Sequence, residues 1–200
     1  PGDRLDDAGT LWLDYPSVGG PSPHVPIHVR PEKPRWFSHH SSWVLPISDS
    51  GFPISDFTPH SALATPHSPL SIPWVAASGA TGLRSVTIAL ASKLTKWRRE
   101  HSTVLSRWLA RNRRPKPLPQ RYTVRLHFVE PDPVKPGERV FDVSLQGRRV
   151  LDGLDVAAEA GGTQRPLVKE LTGVVVEGDL EVALSPRPDA SLPDPVLCGI

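Results

Sequence analysis

Hydrophobic and polar positions alternate most regularly from Tyr122 onward. Tyr122, Val124, Leu126 and Phe128 share one face of an extended segment, with Thr123, Arg125 and His127 on the other. Phe141, Val143 and Leu145 repeat the pattern against Asp142, Ser144 and Gln146. This is the signature of antiparallel strands with one face on a core and the other facing water. Gln146-Gly147-Arg148-Arg149 reads as a tight turn into Val150-Leu151. Leu167–Leu171, Val174–Val176 and Leu180–Leu184 supply further strands, with Glu177-Gly178-Asp179 as a turn, and Val196–Ile200 closes the series. Thr10–Leu13, Ile27–Val29 and Ser85–Leu90 are strand candidates upstream.

Two segments break the strand pattern. Residues 46–72 are dense in Pro, Ser and Asp without a stable period, which predicts a long irregular loop. In Ser92–Asn112, by contrast, Leu94, Trp97, His101, Val104, Leu105, Trp108 and Leu109 fall on one helical face, opposite Lys and Arg. That helix should end before Pro115, since the residue before a proline disfavours helical backbone.

Composition fits many short strands joined by stiff turns. The 200 residues are 38% hydrophobic and include 24 prolines with no collagen-like period. The predicted fold is therefore all-β: an antiparallel sandwich of jelly-roll type carrying one inserted amphipathic helix and one long loop. The length favours a single domain over residues 1–200, with insertions at 46–72 and 92–118. No apolar run approaches the ~20 residues that span a bilayer, and the first residues lack the order of a signal peptide. The absence of methionine, and an end inside the run VLCGI, suggest a fragment of a longer protein.

Charge is unevenly distributed. The whole chain carries +2, yet the span from Lys93 to Lys116 holds nine basic residues and one acid, Glu100, so the remainder is net acidic. The basic helix has three readings: its apolar stripe packs on the sandwich, its cationic face docks on an acidic partner, nucleic acid or a membrane surface, or the insert is foreign to the functional protein. A single cysteine, Cys198, excludes an internal disulfide and any multi-cysteine zinc site, and its strand-like setting suits a small buried hydrophobe.

The order Y-x-V-x-L-x-F-x-E (Tyr122–Glu130), a proline-containing loop, R-V-F-D-V-x-L-x-G (Arg139–Gly147), V-L-x-x-L-D-V (Val150–Val156), Ala160-Gly161 and a final Pro195–Ile200 resembles a malectin domain. Trp74–Leu90 and Gly9–Gly20 fit its N-terminal part, and the pieces look like malectin-like domains appended to bacterial β-propeller proteins. The resemblance implies a non-enzymatic module of a secreted or envelope protein that binds carbohydrate through loops at one end of the sandwich. Aromatic rings and a carboxylate would make the contacts, because sugars offer apolar C–H faces and hydroxyl donors. No cofactor is expected.

Carried over position by position, the candidate ligand-binding residues are Glu130, Asp132, Asp194 and Tyr15; Trp36 and Trp43, with Phe37, have two readings, a further aromatic platform for a sugar or partial burial in the sandwich core, the second being the commoner use of such residues. Asp132 and Pro133 stand where animal malectins have adjacent aromatics, and Asp194 lies in a Pro-Asp-Pro context one place displaced from the family's carboxylate. The family's short connection from Leu90 to Tyr122 is replaced by about 30 residues, an insertion costing only about 0.6 kcal/mol per doubling of loop length. Expected partners are a carbohydrate and an adjacent domain of the same polypeptide, with nucleic acid or a membrane surface reached only through residues 92–118. The alternatives to sugar binding are a structural accessory domain packing on its neighbour, and an interaction module acting through the basic helix.

Catalytic readings are weaker. His127, Asp142 and Ser144 invite a Ser-His-Asp reading, but nothing resembles a nucleophile elbow, and an Arg125–Asp142 cross-strand pair explains the polarity. His39, His40, His60 and His67 lack the spacing of a metal site. Acid pairs such as Asp152 with Asp155, or Glu138 with Asp142, are commoner at turns and strand edges than in a glycosidase.

Overall fold

The computed structural model describes residues 4–6, 8–16, 25–45, 72–90 and 118–200. The expected helix at 92–112 and nearly all of the 46–72 loop lie outside the described residues. The described chain is a β-sandwich. One layer is a five-stranded sheet in the order β3 (Ile27–Arg30), β6 (Ser85–Ala89), β11 (Asp179–Pro186), β8 (Val140–Leu145), β9 (Arg148–Asp155), all antiparallel. The facing layer joins the pair β10 (Pro166–Val176) and β7 (Gln120–Val129) to the sheet β12 (Val196–Leu197), β5 (Ser78–Thr81), β4 (Arg35–Ser38). The join is a bridge in which the His127 N–H donates to the Gly199 carbonyl at 2.9 Å and the Cys198 N–H donates to the His127 carbonyl at 2.8 Å.

The alternation read from sequence is the alternation that fills the sandwich. Val124, Leu126 and Phe128 of β7 meet Phe141, Val143 and Leu145 of β8, and the Phe128 and Phe141 ring centroids lie 6.2 Å apart. Each such side chain contributes about 1.5–3 kcal/mol by leaving water. The Gln146-Gly147 hairpin forms as expected: both residues have positive φ, 51° and 74°, the conformation that matches strand twist in a two-residue turn. The Gln146 side chain supports that backbone by donating to the Asp179 carbonyl at 3.1 Å and accepting from the Glu181 N–H at 2.7 Å.

Strands β7 and β8 follow one another in sequence but belong to opposite layers, because the three-proline loop between them crosses from one sheet to the other. Arg125 therefore pairs with Glu170 of β10 at 2.7 Å, and the expected Arg125–Asp142 pair does not form. Asp142 instead meets Arg187 at 3.0 Å and Arg149 at 3.4 Å.

The outer face of β7 also departs from expectation. Beyond Arg125 it turns inward to a second core, where Val129 packs with Val44, Ala76 and Ala77. Helix α1 (Pro73–Ala76) and a hairpin of β1 (Arg4–Leu5) with β2 (Leu11–Trp12) contribute to this cover. His127 is consequently 2% exposed rather than solvated, with the Trp12 ring edge-on at 5.0 Å. Gly79 is required beneath this layer: a Cβ there would lie 2.6 Å from the Leu197 carbonyl oxygen and 2.8 Å from the Phe37 ring. Cys198 packs against the same cluster, and burial pushes its thiol pKa up, in keeping with a small apolar filler.

Candidate functional site

The crossing loop ends where two other turns and the approach to the last strand converge, and together they enclose an open cleft of about 880 Å³. The β3–β4 turn supplies Arg30, Lys33 and Arg35; the β5–β6 turn supplies Thr81, Gly82 and Arg84; the crossing loop supplies Asp132 and Arg139; Asp194 comes from the segment before β12. Backbone bonds hold these pieces in register. The Arg84 N–H donates to Arg30, the Gly82 N–H to Pro195 and the Leu192 N–H to Glu138, at 2.6, 2.9 and 2.8 Å.

Beneath the cleft lies a chain of alternating charge. Glu130, at the end of β7, is 1% exposed, and Arg139, at the start of β8, is 4% exposed. The two close the base of the crossing loop with a charge-assisted hydrogen bond from Arg139 Nη1 to Glu130 Oε1. The other arm of Arg139 reaches Asp132 Oδ2 at 2.7 Å, and Arg35 reaches the same oxygen at 2.5 Å. Arg35 also donates from Nε to Thr81 Oγ1 at 2.9 Å, tying the loop to β5. Burial pushes the Glu130 carboxyl upward, offset in part by the Arg139 charge. Burial acts on Asp132 too, but hydrogen bonds and charge from Arg139 and Arg35 outweigh it and hold Asp132 below the usual carboxylate range.

Of the six candidate ligand residues, Glu130, Asp132 and Asp194 gather at the cleft, Glu130 as buried support rather than on its surface. Tyr15 and Trp36 form a half-exposed pair, 39% and 42% exposed, with ring centroids 5.8 Å apart; neither lines the cleft. Trp43 stacks on His39 at 4.2 Å and packs on the second core. Among the described residues five cations line the cleft and no aromatic ring does. Sequence reasoning passed over Arg30, Lys33, Arg35 and Arg84; the charged, proline-flanked run Pro31–Arg35 was the available signal.

The catalytic alternatives find no shared geometry. His127 and Asp142 lie in opposite layers, and Asp142 is occupied by the Gly153 N–H and Arg187. Asp155 caps the helix α2 (Val156–Glu159) and accepts from the Gly137 N–H, while Asp152 is engaged by Arg149 and Arg187. Among the described residues no cluster of three or more His, Cys, Asp or Glu is placed to hold a metal.

The sequence of this loop-and-strand unit matches the malectin domain family model over residues 115–189. This segment is similar to a malectin domain. The match contains Glu130, Asp132 and Arg139; Asp194 and the β3–β4 turn lie outside it. A probable LRR receptor-like serine/threonine-protein kinase of Arabidopsis thaliana is 35% identical over 69 residues, 32% of this chain and 7% of the kinase. The chain thus spans a small part of that relative.

Two solved structures share the fold over the whole chain: the ANXUR1 extracellular domain from Arabidopsis thaliana, at 13% identity and TM-score 0.56, and the ANXUR2 extracellular domain from the same plant, at 13% and 0.50. The chain covers 44% and 45% of those ectodomains. These findings overturn the expectation of a bacterial malectin-like type, since the curated relative and both full-coverage structures are plant proteins.

Proposed function

We propose that this malectin-like domain is a non-enzymatic carbohydrate-recognition module of a larger protein, with the cleft between the crossing loop and the β3–β4 turn as its ligand site. The observation that carries the reading is the convergence of Asp132 and Asp194, far apart in sequence, on one cleft at an end of the sandwich. Asp194 is exposed, and no hydrogen bond or ion pair engages it among the described residues, so its oxygens can accept from sugar hydroxyls. The cleft volume suits a short oligosaccharide, since ligand pockets commonly run from about 300 to 1,000 Å³.

The test is calorimetry of an oligosaccharide panel against the wild-type chain and Asp194→Ala. Binding in the wild type, weakened at least about tenfold by Asp194→Ala through loss of a charge-assisted hydrogen bond, supports the reading. Absence of binding across the panel at millimolar concentration contradicts it.

An accessory domain that docks on a neighbouring domain is the second reading. It is favoured by the exposed apolar side chains Leu5, Leu11, Tyr15 and Trp36, which need no ligand to be useful at an interface. Substituting Leu11 and Trp36 by serine would leave sugar binding intact under the first reading and disrupt inter-domain packing under the second.

A further inference from the structure

We infer that the ligand of this cleft is a saccharide bearing an oxyanion, a carboxylate or a sulfate, and that Arg30, Lys33 and Arg84 are the residues that select it. The inference rests on the cleft being the carbohydrate site and adds the chemical class of the sugar.

It comes from accounting for each charge at the cleft. Asp132 is shared by Arg35 and Arg139, and Arg139 is also satisfied by Glu130 from below, so these four groups largely neutralise one another. The other cations are not balanced. Among the described residues no carboxylate lies within ion-pair distance of Arg30, Lys33 or Arg84, and all three are exposed. Against them the cleft offers Asp194 alone, also without a cation partner. Like charges held together on a common concave wall repel one another unless an anion joins them, and a concave wall focuses their field on whatever enters.

The chemistry of the wall points the same way. Stacking on aromatic rings, the usual source of affinity for a neutral sugar, is not provided by the described lining, because among the described residues no aromatic side chain lines the cleft. Two of the three unbalanced cations, Arg30 and Arg84, are guanidinium groups, whose planar forks match carboxylate and sulfate oxygens in paired hydrogen bonds. Asp194 supplies an acceptor for hydroxyl groups, which an inorganic anion would leave unused. The wall is also firmly built. Thr81 and Arg139 are 2% and 4% exposed, Pro34 is buried, and the Arg84 N–H binds the Arg30 carbonyl at 2.6 Å, so the two turns that carry the three cations are bonded to each other.

Calorimetry with an oligouronate, its carboxyl-reduced neutral counterpart, a sulfated oligosaccharide and a poly-glutamate peptide tests the inference. The wild-type chain should bind the oligouronate or the sulfated sugar, with affinity falling as salt rises. The carboxyl-reduced sugar should bind at least about tenfold more weakly than the oligouronate if the carboxylate is the feature read; preference for the sulfated sugar would identify sulfate instead. An Arg30→Gln, Lys33→Gln, Arg84→Gln triple variant should lose about tenfold or more in affinity and most of the salt dependence, at an unchanged thermal midpoint. Equal, salt-insensitive binding of the neutral sugar would overturn the inference while leaving the carbohydrate reading standing. Binding of poly-glutamate without any saccharide would overturn both, and so would silence of every probe. Acidic-sugar binding that survives the triple variant unchanged would show that these residues do not select the ligand.

Discussion

The floor and the rim of the cleft use the same side-chain chemistry for opposite ends. On the floor, Glu130, Arg139 and Asp132 are buried or half-buried and bonded to one another, so their charges are spent on holding the crossing loop between the two sheets. On the rim, Arg30, Lys33, Arg84 and Asp194 are exposed and, among the described residues, bonded to no opposite charge. Buried charge is tolerated only when paired, because desolvation costs several kcal/mol per ion, whereas an exposed charge is solvated and costs the fold little. The floor should therefore register in stability and the rim in binding.

Substitutions that separate the two should rank accordingly. Arg139→Met leaves Glu130 buried without its cation and should cost about 3–5 kcal/mol, measured as a lowered midpoint in chemical denaturation. A loss below about 1 kcal/mol would mean that the floor is not structural.

The next effect comes from His127, a buried polar group whose Nε2, like Arg139 Nε on the floor, has no hydrogen-bond partner among the described residues; burial, with a smaller contribution from the Arg125 charge, pulls its pKa down to about 4. The fold holds the neutral ring, while the unfolded chain takes up a proton near the ordinary value of 6.5. Stability from this group is complete above about pH 6.5 and drains as pH falls toward 4, by on the order of 3 kcal/mol. Replacing His127 with leucine should flatten the stability–pH curve over that window, as read by thermal unfolding at a series of pH values.

Arg35→Ala, which removes an exposed arm from Asp132 and leaves Arg139 in place, should cost at most about 1 kcal/mol. The rim triple variant should be smallest in stability, within about 0.5 kcal/mol of wild type by the same denaturation measurement.

The strands were legible because their signal is local: Val124, Leu126 and Phe128 alternate within one segment and are buried on one side. The adjacency of those strands was not legible. Nothing in the alternation of β7 and β8 distinguishes a hairpin from a crossing between layers, and the three-proline loop serves either. His127 fell on the predicted solvent face, but its cover comes from Trp12, more than 100 residues away in sequence. A strand with both faces covered cannot be recognised from its own pattern of two.

The cleft was half legible. Glu130 and Asp132 were found because they sit in the part of the chain where the malectin likeness is strongest, and Asp194 because the last strand shares it. The rim cations went unremarked because they are scattered over positions 30, 33 and 84, whereas the dense basic run between Lys93 and Lys116 dominates any local count of charge. Trp36 and Trp43, seven residues apart, have different surroundings, Trp36 against Tyr15 and Trp43 against His39 and the second core.

Amide chemical-shift mapping during titration with an acidic oligosaccharide tests the central claim most directly, because it reports where a ligand sits without altering the protein. Perturbations should concentrate at Arg30–Arg35, Gly82–Arg84 and Leu192–Asp194, with small, indirect changes at Glu130 and Arg139. Perturbations centred on Phe37–Trp43 or on the β1–β2 hairpin, with the cleft silent, would contradict it.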